Sequence, residues 1–190
     1  MGRCDMMLDP EFADIEQKKM FGIWPPSDMA AHGVWPYIQR LKKPTVNILD
    51  VGCMLGENAC FLIDQDSGPK KKIDHIYCMH SFGHNVLPEN QDKFKAIFDK
   101  NVSTRSTDER KRIVMLYPKD KVDVVCIHHN SNLDKALSDY YDAVLPNGIF
   151  CGTEHGLTEV KEALGRFRRA KKIGTPINVS NGCWFWYKRG

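Results

Sequence analysis

The feature that most constrains this chain is the alternation of short apolar runs of strand length with longer stretches of helical period. Val46–Gly52, Ile73–Met79, Val122–Ile127 and Gly148–Gly152 read as strands, and Asn101–Arg105 is expected to add a short one, third in chain order. Strands that alternate with helices predict an α/β fold with a doubly wound, mostly parallel sheet. The chain closes differently. Asn181-Gly182 between Ile177–Ser180 and Cys183–Lys188 is a two-residue hairpin signal. A C-terminal antiparallel hairpin is therefore expected at or near one sheet edge. Its Trp184, Phe185, Trp186 and Tyr187 should alternate between faces, about half of them outward.

The helical stretches are Gly56–Asp64, Pro88–Asp99, a segment opened by the capping box Ser106-Thr107-Asp108-Glu109 and running to about Tyr117, Leu133–Leu145, and Thr158–Lys172. In the last of these, Val160, Ala163, Leu164, Phe167 and Ala170 form the inward stripe. Ahead of the first strand, Asp9-Pro10-Glu11 starts a short helix to about Phe21, and Ser27–Leu41 reads as a second helical segment disturbed by Gly33 and Pro36. Residues 1–44, with Trp24 and Trp35, are expected to form a helical cap over a main domain at 45–190, the two making one compact unit. A length of 190 residues suits a single core of that kind.

Charge and cysteine usage narrow the function classes. The net charge is only +3, with a pI near 8.4, which argues against a dedicated nucleic-acid binder, whose domain pI usually exceeds about 9. A local basic face is compatible with this balance: Arg166, Arg168, Arg169, Lys171 and Lys172 crowd one helix and could meet RNA or an acidic partner. The cysteines at 4, 53, 60, 78, 126, 151 and 183 include no C-x-x-C pair and sit mostly in apolar runs. They read as reduced, buried thiols of a cytoplasmic protein. No apolar stretch approaches the roughly 20 residues of a membrane span, and Met1–Pro10 lacks the apolar core of a signal peptide.

The chemistry-bearing segment is Asp50-Val51-Gly52-Cys53-Met54-Leu55-Gly56-Glu57, at the carboxyl end of the first strand and the opening of a helix. In an open α/β sheet, ligands bind outside such strand ends. Gly52 permits close backbone approach, and Gly56 permits the helix to pack near the strand. As a dinucleotide fingerprint the loop fails, because it lacks the second glycine of G-x-G-x-x-G.

The run ILDVGCMLGENACFLI resembles the first motif of class I S-adenosylmethionine-dependent methyltransferases. The resemblance extends to Val122–Cys151, with Leu145-Pro146-Asn147-Gly148 leading into the fifth strand, and to Gly152-Thr153-Glu154-His155-Gly156 before an amphipathic helix and a Trp-rich hairpin. It covers about Thr45–Lys188 and is closest in layout to the small stand-alone subgroup. It implies a Rossmann-like fold and S-adenosylmethionine as cofactor, with methyl transfer to an unidentified acceptor. Asp50, Gly52, Cys53, Gly56, Glu57, Asn58, His80 and Ser81 would line the cofactor pocket. His128, His129, Glu154 and His155 would border the acceptor, any of them able to orient or deprotonate a nucleophile.

Two positions depart from the family pattern. The second strand ends in Met79-His80-Ser81, where an acid usually accepts from both ribose hydroxyls, and the fourth is followed by His128-His129, where an acid is also common. Three readings follow: an enzyme in which His80, with Ser81 or a water, holds the ribose; a catalytically degenerate relative used for binding or assembly; or a transition-metal site built from His128 or His129 with Glu154 and His155. Cys53, at a helix N-terminus, is either an activated thiol or a small packing residue. The Trp-rich hairpin leaves homodimerisation open.

Overall fold

The computed structural model describes residues 30–53, 55–66, 68–69, 71–79, 88–128 and 132–190. The expected helix over Asp9–Phe21 lies outside these residues, as do Trp24, Met54, His80, Ser81 and His129. In chain order the elements are α1 (Ala30–Ile38), β1 (Val46–Val51), α2 (Glu57–Gln65), β2 (Ile73–Met79), α3 (Pro88–Ser103), α4 (Thr107–Arg110), β3 (Ile113–Val114) and β4 (Val122–Ile127). There follow α5 (Leu133–Tyr140), a 3₁₀ turn at Tyr141–Ala143, β5 (Val144–Gly152), α6 (Thr158–Ala170), β6 (Asn178–Ser180) and β7 (Cys183–Tyr187).

All seven strands join one sheet in the order β3-β2-β1-β4-β5-β7-β6. The first five are parallel, and β7 runs antiparallel to both β5 and β6. This is the expected doubly wound, mostly parallel sheet with an antiparallel C-terminal hairpin. The chain winds outward from β1 to β3 and then returns to β4 beside β1. That reversal opens a crevice between the carboxyl ends of β1 and β4.

Both faces of the sheet are covered, which is why its central strands are apolar on both sides. On one face α1, α2 and α3 enclose Ile48, Cys60, Leu62, Cys78, Phe98, Cys126 and Phe185. On the other, α5 and α6 cover Leu49, Val125, Phe150, Trp184 and Trp186. Of the expected α6 stripe, Val160, Ala163, Leu164 and Phe167 are buried as its periodicity requires, whereas Ala170, at the last helical position, is exposed.

Several expectations are revised. The helix expected over Leu133–Leu145 ends at Tyr140 with a 3₁₀ turn to Ala143, and β5 begins at Val144 rather than Gly148. Asn101–Arg105 is not a strand: α3 continues to Ser103, where the Asn101 side chain donates to the Leu55 carbonyl at 3.0 Å and Arg105 pairs with Asp64. The third strand is the β-branched pair Ile113–Val114, against Ile76 and Tyr77. The capping box at Ser106 and Glu109 forms, but its helix stops at Arg110 because the Ile76 N–H takes the Arg112 carbonyl at 2.7 Å. Residues 115–121 then lead to β4 without a helix, leaving Met115, Leu116 and Tyr117 exposed.

The hairpin turns at Asn181 and Gly182, both at positive φ (47° and 76°). Cys183–Trp186 is nevertheless buried on both faces, because β7 lies inside the sheet with β6 at the edge and helices on the two faces cover its side chains. Phe185 meets Tyr37 of α1 at 4.3 Å between ring centroids, while Trp184 and Trp186 stack on the opposite face near Phe150.

Candidate active site

Asp50 is the penultimate residue of β1 and is completely buried. A carboxylate is expensive to hold there unless its oxygens are paired. Oδ1 is met twice, by Asn58 Nδ2 at 2.8 Å from α2 and by His128 Nε2 at 2.7 Å from the end of β4. Oδ2 is buried with no hydrogen-bond partner among the described residues. Two thiols flank the carboxylate in the sheet, since Asp50 is in register with Cys78 on β2 and Cys126 on β4.

The loop after β1 is built around its glycines. Gly52 takes φ 82° and donates to the Met79 carbonyl at 2.8 Å, turning the chain sharply off the strand. Gly56 takes φ 79°, and a Cβ there would come within 2.8 Å of the Phe98 ring. Only glycine fits that combination of left-handed backbone and close aromatic contact. α2 then begins at Glu57 with its N-terminus at the crevice, a position whose dipole favours an anion. Cys53 is buried beside Cys78, and that thiol contact, with burial, pushes the Cys78 thiol well up. Cys53 thus belongs to the same buried core cluster as Cys60, Cys78, Cys126, Cys151 and Cys183, and none of these six forms a disulfide.

His128 follows β4 directly, its N–H bonded to the Val51 carbonyl at 3.0 Å. Burial opposes its positive charge, but the Asp50 carboxylate outweighs this through charge and hydrogen bond, with Glu57 and Glu154 adding to it. The net effect raises the imidazole above its ordinary value. Glu154 lies just past β5 at φ 61°. His155 behind it is lowered by burial and by the Lys161 charge, and its N–H bonds the Gly182 carbonyl. Among the described residues no three His, Cys, Asp or Glu side chains gather to hold a metal ion.

The structure therefore brings Asp50, Asn58 and His128 into one contact, with Glu57 and Glu154 close enough to act on the imidazole. The Asn58 side-chain bond to Asp50 has no local sequence signature. The brace from Asn101 to the Leu55 carbonyl, spanning 46 positions, left no sequence signal at all.

On α6, Arg166 forks onto Asp134 at 3.2 and 2.7 Å, and Lys171 lies 3.5 Å from Asp142. Arg168 stacks over Trp186 at 5.1 Å and donates to the Thr175 carbonyl. Arg169 and Lys172 are exposed. Among the described residues no helix is long and apolar enough to cross a membrane.

No protein-family model and no curated sequence matches the chain. Solved structures do resemble it. A protein of Methanococcus maripaludis described as an S-adenosyl-L-methionine-dependent methyltransferase aligns over 100% of this chain and 96% of its own, at 13% identity and TM-score 0.57. The precorrin-6y C5,15-methyltransferase of Geobacter metallireducens aligns over 80% and 84%, at 9% identity and TM-score 0.55. A protein of Clostridium thermocellum described as an rRNA methylase aligns over 82% and 94%, at 16% identity and TM-score 0.54. At these identities the likeness carries the fold: this chain has the Rossmann-like fold of class I S-adenosylmethionine-dependent methyltransferases.

Proposed function

We propose that the chain is an S-adenosylmethionine-dependent methyltransferase acting on an acceptor still to be identified. The observation that carries this reading is the fully buried Asp50 at the switch point, with one carboxylate oxygen unsatisfied and a glycine loop beside it. A buried anion with a spare acceptor suits a cationic ligand group, and the α2 N-terminus suits an anionic one. An amino acid carries both charges. Asp50 would take the ammonium, the Glu57 and Asn58 backbone the carboxylate, and Gly52, Cys53 and Gly56 the close approach of the ligand. His80 and Ser81, after β2, would hold the ribose.

When bound, the cofactor supplies an electrophilic methyl group on a positively charged sulfonium. The protein's part is orientation and exclusion of water. His128, fixed through Nε2 by Asp50, and Glu154, at the next strand end, would orient the acceptor or take its proton, with His129 and His155 beside them in sequence.

A second reading, a methyltransferase-like binding module without catalysis, draws on the same pair, because His128 already occupies Oδ1. The two separate in a thermal shift assay. The enzyme reading expects S-adenosylmethionine at about a hundred times its Kd to add about 2.7 kcal/mol, a rise of several degrees in Tm, with ATP as the silent control. No rise at millimolar ligand would favour the binding module.

A further inference from the structure

Asp50 presents two unequal oxygens: Oδ1 is held by Asn58 and His128, while Oδ2 is buried and has no hydrogen-bond partner among the described residues. His128 is itself only 17% exposed, so its charge is poorly screened by solvent. The charged groups facing it are Asp50 from β1, Glu57 from α2 and Glu154 from the segment after β5, all acidic. A ligand cation placed against Oδ2 would sit across one carboxylate from the imidazole. Two cations on a single buried carboxylate repel, and the lighter change is loss of the imidazole proton.

Resting on the cofactor reading above, we propose that His128 and the ligand's ammonium share Asp50 as a common counter-ion, so that the ligand binds by releasing the proton of His128 to solvent. His128 is in this account a specificity-determining residue as well as a neighbour of the acceptor. It makes the site take a cationic amino-acid moiety in exchange for the Nδ1 proton, and it leaves the imidazole neutral, with Nε2–H donating to Oδ1. Proton balance is complete: one H⁺ leaves the His128 ring, and one ammonium replaces its charge at Asp50.

The direction follows from linkage. Where His128 is protonated in the free protein, each ligand bound releases up to one proton, so affinity rises about tenfold per pH unit and levels off above the imidazole pKa. The ligand's own α-amino group begins to lose its proton near pH ~8, which sets the upper end of the useful range.

The test is calorimetric titration of the full chain with S-adenosylhomocysteine between pH 5.5 and 7.5, in buffers of different ionisation enthalpy. 5′-Methylthioadenosine, which has the nucleoside but no ammonium, is the control ligand, and His128→Gln the control variant. The proposal expects proton release and rising affinity with S-adenosylhomocysteine, neither with methylthioadenosine, and a flat profile in His128→Gln. Should that variant fail to fold, proton release in the native chain decides alone. Equal affinity across the range, or the same slope with methylthioadenosine or in His128→Gln, overturns the shared counter-ion but leaves the cofactor reading standing. No binding of S-adenosylhomocysteine at any pH overturns both.

Discussion

His128 Nε2 lies 2.7 Å from Asp50 Oδ1, and this contact joins β4 to β1 across the point where the sheet reverses its winding. It links two residues 78 positions apart at the place where an open α/β sheet presents its ligand. The fold thereby turns a strand-end acid and a strand-end histidine into one coupled group.

That coupling has a consequence for stability. The folded state raises the His128 pKa, so its contribution is fully present below the unfolded value of about 6.5 and is lost as pH rises through the folded value. Native protein should therefore exceed His128→Gln in urea midpoint by more at pH 5.5 than at pH 8.5. Equal differences at the two pH values would show that the contact carries no charge.

Gly56→Ala should destabilise the chain. The substitution places a Cβ at φ 79° and within 2.8 Å of the Phe98 ring, whose own residue is buried. A non-glycine residue at such a backbone costs about 1–3 kcal/mol, or roughly 2–4 °C per kcal/mol in a chain of this size. Thermal denaturation followed by circular dichroism reads the loss; an unchanged Tm would mean that α3 moves aside freely.

Asp66→Ala should be more damaging. Asp66 accepts from the Lys72 and Ile73 N–H groups at 2.7 and 2.9 Å and is ion-paired with the largely buried Arg112. Breaking one side of a buried pair typically costs about 3–5 kcal/mol. Urea denaturation should show a loss in that range, and a loss under ~1 kcal/mol would contradict the role assigned to this brace.

Arg168 on α6 and Lys172, two residues past its end, should behave differently. Arg168→Ala removes the stacking on Trp186 and the bond to the Thr175 carbonyl, at a cost of about 1–2 kcal/mol. Lys172→Ala, exposed and without a described partner, should stay within about 0.5 kcal/mol of the native chain. Urea midpoints of the pair, with Trp fluorescence as the probe, distinguish them.

What the sequence made legible is what repeats locally. The strands over Val46–Val51, Ile73–Met79 and Val122–Ile127, the α6 stripe as far as Phe167 and the Asn181-Gly182 turn follow from period and turn chemistry, and they appear where expected. The misses come from contacts made at long range. Asn101–Arg105 has β-branched residues, yet bonds from Asn101 to Leu55 and from Arg105 to Asp64 hold it at a helix end. Alternation of Trp184–Tyr187 would place half the side chains outward; α1 on one face and α6 on the other instead bury Phe185 and the pair Trp184 and Trp186. At the site, Asp50 and the glycines were visible as a motif. The sharing of Oδ1 between Asn58 and His128 depends on three elements meeting and has no local pattern.

The most direct test of the account is calorimetric titration of S-adenosylhomocysteine into the native chain and into Asp50→Ala at pH 7.5. The account expects one saturable site in the native chain and an affinity at least about tenfold weaker, a change of ~1.4 kcal/mol, in the variant. No saturable heat from the native chain up to millimolar ligand, or equal affinity in Asp50→Ala, would contradict it.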